Sequence, residues 1–125
     1  MDENSISREI IGAAIEVHRT LGPGLLESAY QECLGRELSL KGMAFEKEKP
    51  IPLNYKGLNL DCGYRVDFLV EKLVAVELKA VEKILPIHQA QVLTYLKLLN
   101  IKLGILLNFN VPMLKEGIKR LALKL

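Results

Sequence analysis

Residues 63–82, GYRVDFLVEKLVAVELKAVE, constrain the fold more than any other stretch of this chain. Two segments rich in Val, Leu, Tyr and Phe, at residues 60–70 and 73–81, carry strand propensity and meet at a short polar connection around Glu71-Lys72. That pattern predicts a β-hairpin. Asp67, Glu77 and Lys79 nevertheless stand among the aliphatic residues where a core is expected. An unpartnered charge in such a place costs on the order of several kcal/mol or neutralises itself, so the hairpin must separate an aliphatic face from a polar one. Side chains alternate along a strand, so Glu77 and Lys79 point one way while Val74, Val76, Leu78 and Ala80 point the other. Asp67 joins the face of Glu77 only if paired residue numbers sum to an even value, as when Asp67 lies opposite Glu77. This requires a three-residue loop or a bulge at the joint, because a two-residue turn at Glu71-Lys72 sets Asp67 opposite Val76.

Two converging carboxylates repel unless a cation neutralises them, and hard oxygen donors of this kind suit Mg²⁺ or Mn²⁺. A divalent ion so held polarises a phosphoryl oxygen and lowers the pKa of its water. An adjacent lysine such as Lys79 helps to orient that water or, as the neutral amine, to deprotonate it, and as the ammonium to stabilise developing negative charge. These three residues therefore carry the elements of metal-assisted phosphodiester hydrolysis. The same three also suit a plain ion-paired ladder on the solvent face of a one-sided sheet, and the two arrangements differ in whether the carboxylates converge.

The remaining chain supplies further candidates. Apolar positions at residues 5–21 (Ile10, Ile11, Ala14, Ile15, His18, Leu21) recur at helical steps, with Asn4 or Ser5 as the cap, and His18 reads as a satisfied core histidine. Gly22-Pro23-Gly24 breaks that helix, and a second runs over residues 25–41 to Gly42. Glu27 and Tyr30 share a face of it, although Glu27 also suits the helix N-terminus simply as a negative charge. Residues 45–55, with Pro50 and Pro52, predict an edge or bent strand followed by a turn at residues 55–58. A third helix at residues 86–100 starts at Pro86, is apolar over much of its circumference and so predicted central, and carries His88, Gln91 and Tyr95 as a polar stripe. A strand at residues 103–109 follows, and the tail LKEGIKRLALKL forms a last strand or helix. The order is two helices, three strands, a helix, then one or two strands.

The length of 125 residues suits one domain, 1–125, and a composition 50% hydrophobic and 26% charged is that of a globular chain. No apolar run is long enough to span a bilayer, and the N-terminus lacks the features of a signal peptide, so a cytoplasmic location without membrane association is expected. Cys33 and Cys62 lack metal-type spacing and read as small hydrophobes. A net charge of +2 is compatible with nucleic acid without pointing to it. Arg65, flanking Asp67 with Tyr64, suits a phosphate contact or a solvated edge.

The ordered set Asp67, Glu77-Leu78-Lys79 and Gln91-Val92-Leu93-Thr94-Tyr95 resembles the PD-(D/E)xK nuclease superfamily, in particular its recombination-exonuclease-like branch with the helical QxxxY element. LGPGLLESAY, through Gly24, Glu27 and Tyr30, is similar to the motif that names the GxxExxY family within it, and the likeness covers nearly the whole chain. Val66 departs from the superfamily's name, which has Pro there. The resemblance implies an α/β fold with a restriction-endonuclease-like core, a central mixed β-sheet flanked by α-helices. It implies that Asp67, Glu77 and the Leu78 carbonyl ligate Mg²⁺ (or Mn²⁺), that Glu27 reaches the metal from its helix, and that Lys79 serves the attacking water. Gln91 and Tyr95 would position the lysine or the substrate phosphate, with Tyr30 and Arg65 as further substrate contacts. The expected activity is a nuclease acting on DNA, or less readily RNA, and a homodimer would present two sites. The rival expectations are a non-catalytic nucleic-acid-binding or interaction module on a nuclease fold, and a structural scaffold whose three charged groups face different ways.

Overall fold

Helix α1 (Glu3–Leu21) begins where Asp2 accepts the Ser5 N–H on its Oδ1 at 2.8 Å. The cap is thus Asp2 and not Asn4 or Ser5, and the helix gains two residues at its start because a carboxylate there meets both an orphan N–H and the helix dipole. The computed structural model describes residues 1–123. Ile6, Ile10, Ala13, Ala14 and Val17 form the buried stripe of α1, whereas Ile15 and Leu21 are exposed. His18 is buried as expected, with Nε2 donating to the Val111 carbonyl at 2.8 Å. Helix α2 (Glu27–Leu40) follows the Gly-Pro-Gly break and buries Tyr30, Leu34 and Leu38, four residues apart.

The five-stranded sheet has the order β1-β4-β5-β6-β7, with β1 Phe45–Pro50, β4 Arg65–Val70, β5 Val74–Lys79, β6 Leu103–Asn108 and β7 Ile118–Ala122. Only the β5–β6 pair is parallel, joined across the sheet by α3 (Pro86–Leu99); the other pairs are antiparallel. The chain bends at Ile51-Pro52, as two prolines so close predict, and β2 (Leu53–Tyr55) pairs with β3 (Leu58–Leu60) in a separate hairpin. Lys56 and Gly57 turn it with φ of 49° and 86°. The single strand expected over residues 60–70 is therefore two, β3 and β4. Asp61 takes the Gly63 N–H on Oδ1 at 3.2 Å, and Gly63 has φ 75°, so a local turn outcompetes strand at residues 61–64. The tail makes a short 3₁₀ turn (Leu114–Gly117) before β7; Lys124 and Leu125 lie outside the described residues.

Strand alternation sorts the core. Phe68, Val70, Val74, Val76, Leu78, Ile105 and Leu107 meet α1 and α2 on one face. On the other face, Ala75 and Leu106 meet Val92, Tyr95 and Leu96 of α3. Helix α3 is an outer layer, not a central helix: it buries only those three residues, and Leu85 and Ile87 at its start are exposed. Its close seat depends on Gly104 of β6, where a Cβ would stand 2.8 Å from Val92 Cγ1. Among the described residues no helix is long and apolar enough to cross a membrane.

Candidate active site

The hairpin joint fixes the site. Val70 pairs with Val74, Leu69 with Ala75 and Phe68 with Val76, leaving Glu71-Lys72-Leu73 as a three-residue connection. Glu71 and Lys72 take φ of 52° and 60°, and the Leu73 N–H returns to the Val70 carbonyl at 3.0 Å. Every pair sums to an even number, the parity that directs Asp67 toward Glu77. The regular ladder ends at Phe68–Val76. Beyond it the side chains take over: Asp67 Oδ2 accepts the Leu78 N–H at 2.8 Å, and the Asp67 N–H donates to Glu77 Oε1 at 3.2 Å. On the other side of β4, the β1 ladder runs from Lys47–Phe68 to Lys49–Val66 and skips Glu48, whose φ is 51°. The main chain of β4 is thus released by both neighbours at Asp67, and the two carboxylates occupy the gap.

Glu77 is 9% exposed, which excludes a solvent-facing ion ladder for it. Burial, and then the charge of Asp67 beside it, push its carboxyl up to about 8, against a smaller opposing pull from Lys79. The Glu77 carboxyl thus keeps its proton at neutral pH. Asp67 has little freedom: Oδ2 is held by the Leu78 N–H and Oδ1 by Gln31 Nε2 at 2.9 Å. In an extended strand a residue's N–H and C=O face the same side, so the Leu78 carbonyl faces this gap as well.

This donor set suits a divalent cation. Two carboxylates and one carbonyl are hard oxygens, and a positive charge between them offsets both the burial and the repulsion that raise Glu77. Glu27 does not join them; it is exposed in the first turn of α2, and among the described residues no group of three or more His, Cys, Asp or Glu side chains is clustered. Gln31, one turn beyond Glu27 on the same helix face, makes the contact to Asp67 instead. The i, i+4 spacing from Glu27 was the signal in the sequence for it.

Lys79 is half-buried and lines a cleft of about 500 Å³ together with Gln91, Tyr95, His88 and Tyr64. The polar stripe of α3 therefore faces that cleft. Burial and then the charge of Glu77 raise the Tyr95 hydroxyl, with Tyr64 and Asp67 adding to the effect. His88 Nδ1 accepts the Leu85 N–H at 2.9 Å and so also caps the helix. Asn108, opposite Lys79 in the parallel ladder, binds both the N–H and the C=O of Val81 at 3.1 and 2.9 Å and thereby anchors the strand end that carries the lysine.

Tyr30 corrects the expectation of a substrate contact. It is fully buried, stacked on Phe109 with ring centroids 4.4 Å apart, and its hydroxyl donates to the Gly22 carbonyl at 2.6 Å while accepting the Leu25 N–H at 3.1 Å. It ties down the Gly-Pro-Gly loop and offers no surface to a substrate. Arg65 is exposed at the start of β4, opposite Pro50.

A mixed five-stranded sheet flanked by three helices, with an acidic pair and a lysine where a central hairpin parts, is an α/β fold of the restriction-endonuclease-like kind. The chain belongs to the PD-(D/E)XK nuclease superfamily, whose sequence model matches residues 4–121. Comparison with curated proteins and with solved structures gave no match.

Proposed function

We propose that this chain is a Mg²⁺- or Mn²⁺-dependent nuclease that hydrolyses phosphodiester bonds in DNA, with RNA the less favoured substrate. The observation that carries the proposal is the reciprocal seating of Asp67 and Glu77 in the parted hairpin, two residues from Lys79 on the same strand face. Structural ion pairs have no reason to set two carboxylates against each other at the expense of a raised Glu77. The carboxylates of Asp67 and Glu77 and the carbonyl of Leu78 would hold the ion, which would supply Lewis-acid polarisation of the phosphate and a more acidic water.

The protein's own groups supply the rest. The Leu78 N–H and Gln31 fix the orientation of Asp67. Lys79, at the wall of the cleft, orients the attacking water and meets the negative charge that builds on the phosphoryl oxygens. Gln91 and Tyr95 steady the lysine or the phosphate from α3.

The test is cleavage of single-stranded, duplex and branched DNA, and of RNA, across a titration of Mg²⁺ and Mn²⁺. Lys79→Ala is expected to lower the rate by about a hundredfold or more. Parent and Lys79→Ala proteins that cleave equally fast, or binding without metal-dependent cleavage, would favour a non-catalytic nucleic-acid-binding module instead.

A further inference from the structure

We propose that the cleft beside Lys79 receives an unpaired nucleobase, so that the substrate is presented as a single strand or an unstacked end and not as closed duplex. The proposal rests on the nuclease reading for its relevance to cleavage, but its own support is the shape and chemistry of the cleft.

The volume, about 500 Å³, lies in the range of roughly 300–1,000 Å³ in which organic ligands are enclosed. A phosphate alone needs no such space. Leu53, Ile87 and Leu98 make apolar walls, and Tyr64 and Tyr95 add two rings whose centroids are 6.4 Å apart at 54°. Rings so inclined do not stack on each other; Tyr95 is buried as the floor of the cleft, and the Tyr64 ring, 45% exposed, keeps a π-face free for a planar guest. The Tyr64 main chain is fixed by the Ile51 N–H at 2.9 Å, yet its side chain remains exposed.

The polar groups match a base edge. Gln91 and Thr94 each offer a donor and an acceptor, and His88, with Nδ1 accepting the Leu85 N–H, keeps its proton on Nε2 as a donor. Among the described residues no carboxylate lines the cleft, and Lys79 supplies its ammonium. A cationic guest is disfavoured by that charge, whereas a nucleotide fits it: the phosphate toward Lys79 and the base against the tyrosines. Bases within a closed duplex have no free face to offer, while an unpaired base stacks on an aromatic side chain with little regard to its identity.

The experiment is binding of the full chain to DNA in EDTA, where cleavage plays no part. Oligonucleotides carry 2-aminopurine at successive positions, either as single strands, as frayed duplexes or as duplexes closed by a hairpin at both ends. Single strands and frayed ends are expected to bind about tenfold tighter than closed duplex, with the fluorescence change confined to one or two positions. Tyr64→Ala and Ile87→Asp, at sites 45% and 67% exposed, are expected to fold normally by circular dichroism and to erase that preference. Equal affinity for closed duplex, no binding to any form, or an undiminished preference in both variants overturns the proposal. A strand preference without metal-dependent cleavage leaves it standing and removes the nuclease reading; cleavage of closed duplex that ignores both variants does the reverse.

Discussion

Asp67 and Glu77 each take the place of a main-chain partner that the other's strand has lost: Glu77 Oε1 accepts the Asp67 N–H at 3.2 Å, and Asp67 Oδ2 accepts the N–H of Leu78, next to Glu77, at 2.8 Å. This geometry keeps the strands apart without leaving a buried N–H unpaired. It also makes stability depend on pH. The Glu77 carboxyl sits near 8 in the folded chain against an ordinary value of 4.5. Between those two values the folded state binds more protons than the unfolded state, so stability falls as pH rises through the window. Below it both states are protonated; above it both are ionised and the full loss remains. The metal-free protein should lose on the order of a few kcal/mol between pH 5 and pH 9 from this group, read by urea unfolding at fixed ionic strength. Glu77→Gln, neutral at every pH, should flatten that stretch of the curve while abolishing cleavage, and saturating Mg²⁺ should restore parental stability at pH 9. A parental curve as flat as that of the variant would show that the carboxyl titrates normally.

Gln31 gives a separate handle on the same pair, because its amide reaches Asp67 Oδ1 at 2.9 Å from a helix on the opposite side of the sheet from α3. Gln31→Leu keeps the bulk and removes the donor. Since the residue is only half-buried, folding stability should change by less than about 1 kcal/mol. The Mg²⁺ concentration needed for half-maximal cleavage should rise roughly 10- to 100-fold, the usual effect of removing a group that orients a metal-binding carboxylate. An unchanged metal titration with lowered stability would reduce Gln31 to a packing residue.

The convergence of Asp67, Glu77 and Lys79 was legible in the sequence because a two-residue period leaves few choices of register: parity alone linked the shared face to a three-residue joint, and Glu71-Lys72-Leu73 is that joint. Helical faces are broader, and there the inference blurred. Glu27 and Tyr30 lie one turn apart, yet Tyr30 turns into the core and Glu27 out to solvent, because the position of α1 and Phe109 decides which flank is covered. The outer position of α3 was illegible for a related reason. Its exposed apolar residue Ile87 lines a cleft, as does Leu98, and a pattern of hydrophobicity does not distinguish a cleft wall from a core. The split at residues 61–64 was visible in Asp61 and Gly63, but strand propensity on either side masked it.

Tyr30→Phe tests the role that the structure gives to the tyrosine three residues after Glu27. The variant retains the ring stacked on Phe109 and removes the hydroxyl that joins the Gly22 carbonyl to the Leu25 N–H. Two main-chain groups of a partly buried loop lose their partner, which should cost about 1–3 kcal/mol of stability. Substrate KM should stay as it was, since no substrate touches a buried ring. A rise in KM at unchanged stability would return Tyr30 to the binding surface.

Gly104→Ala probes how far the proposed active site depends on the seat of α3. An added Cβ would lie 2.8 Å from Val92 Cγ1 and 3.1 Å from Leu96 Cδ2. Val92 is β-branched and buried, so its methyl cannot swing aside as the end of a long side chain would. The helix must therefore move outward, and Gln91 and Tyr95, on the same helix as Val92, move with it. Overpacking of this kind should lower stability by about 1–3 kcal/mol. The displacement is also expected to lower kcat, because Gln91 and Tyr95 shift within the cleft that Lys79 also lines, while the metal requirement that Asp67 and Glu77 on β4 and β5 are proposed to set should hold. Thermal unfolding together with a rate measured against Mg²⁺ separates the two effects. A destabilised variant with parental kcat would mean that the polar stripe of α3 takes no part in the reaction.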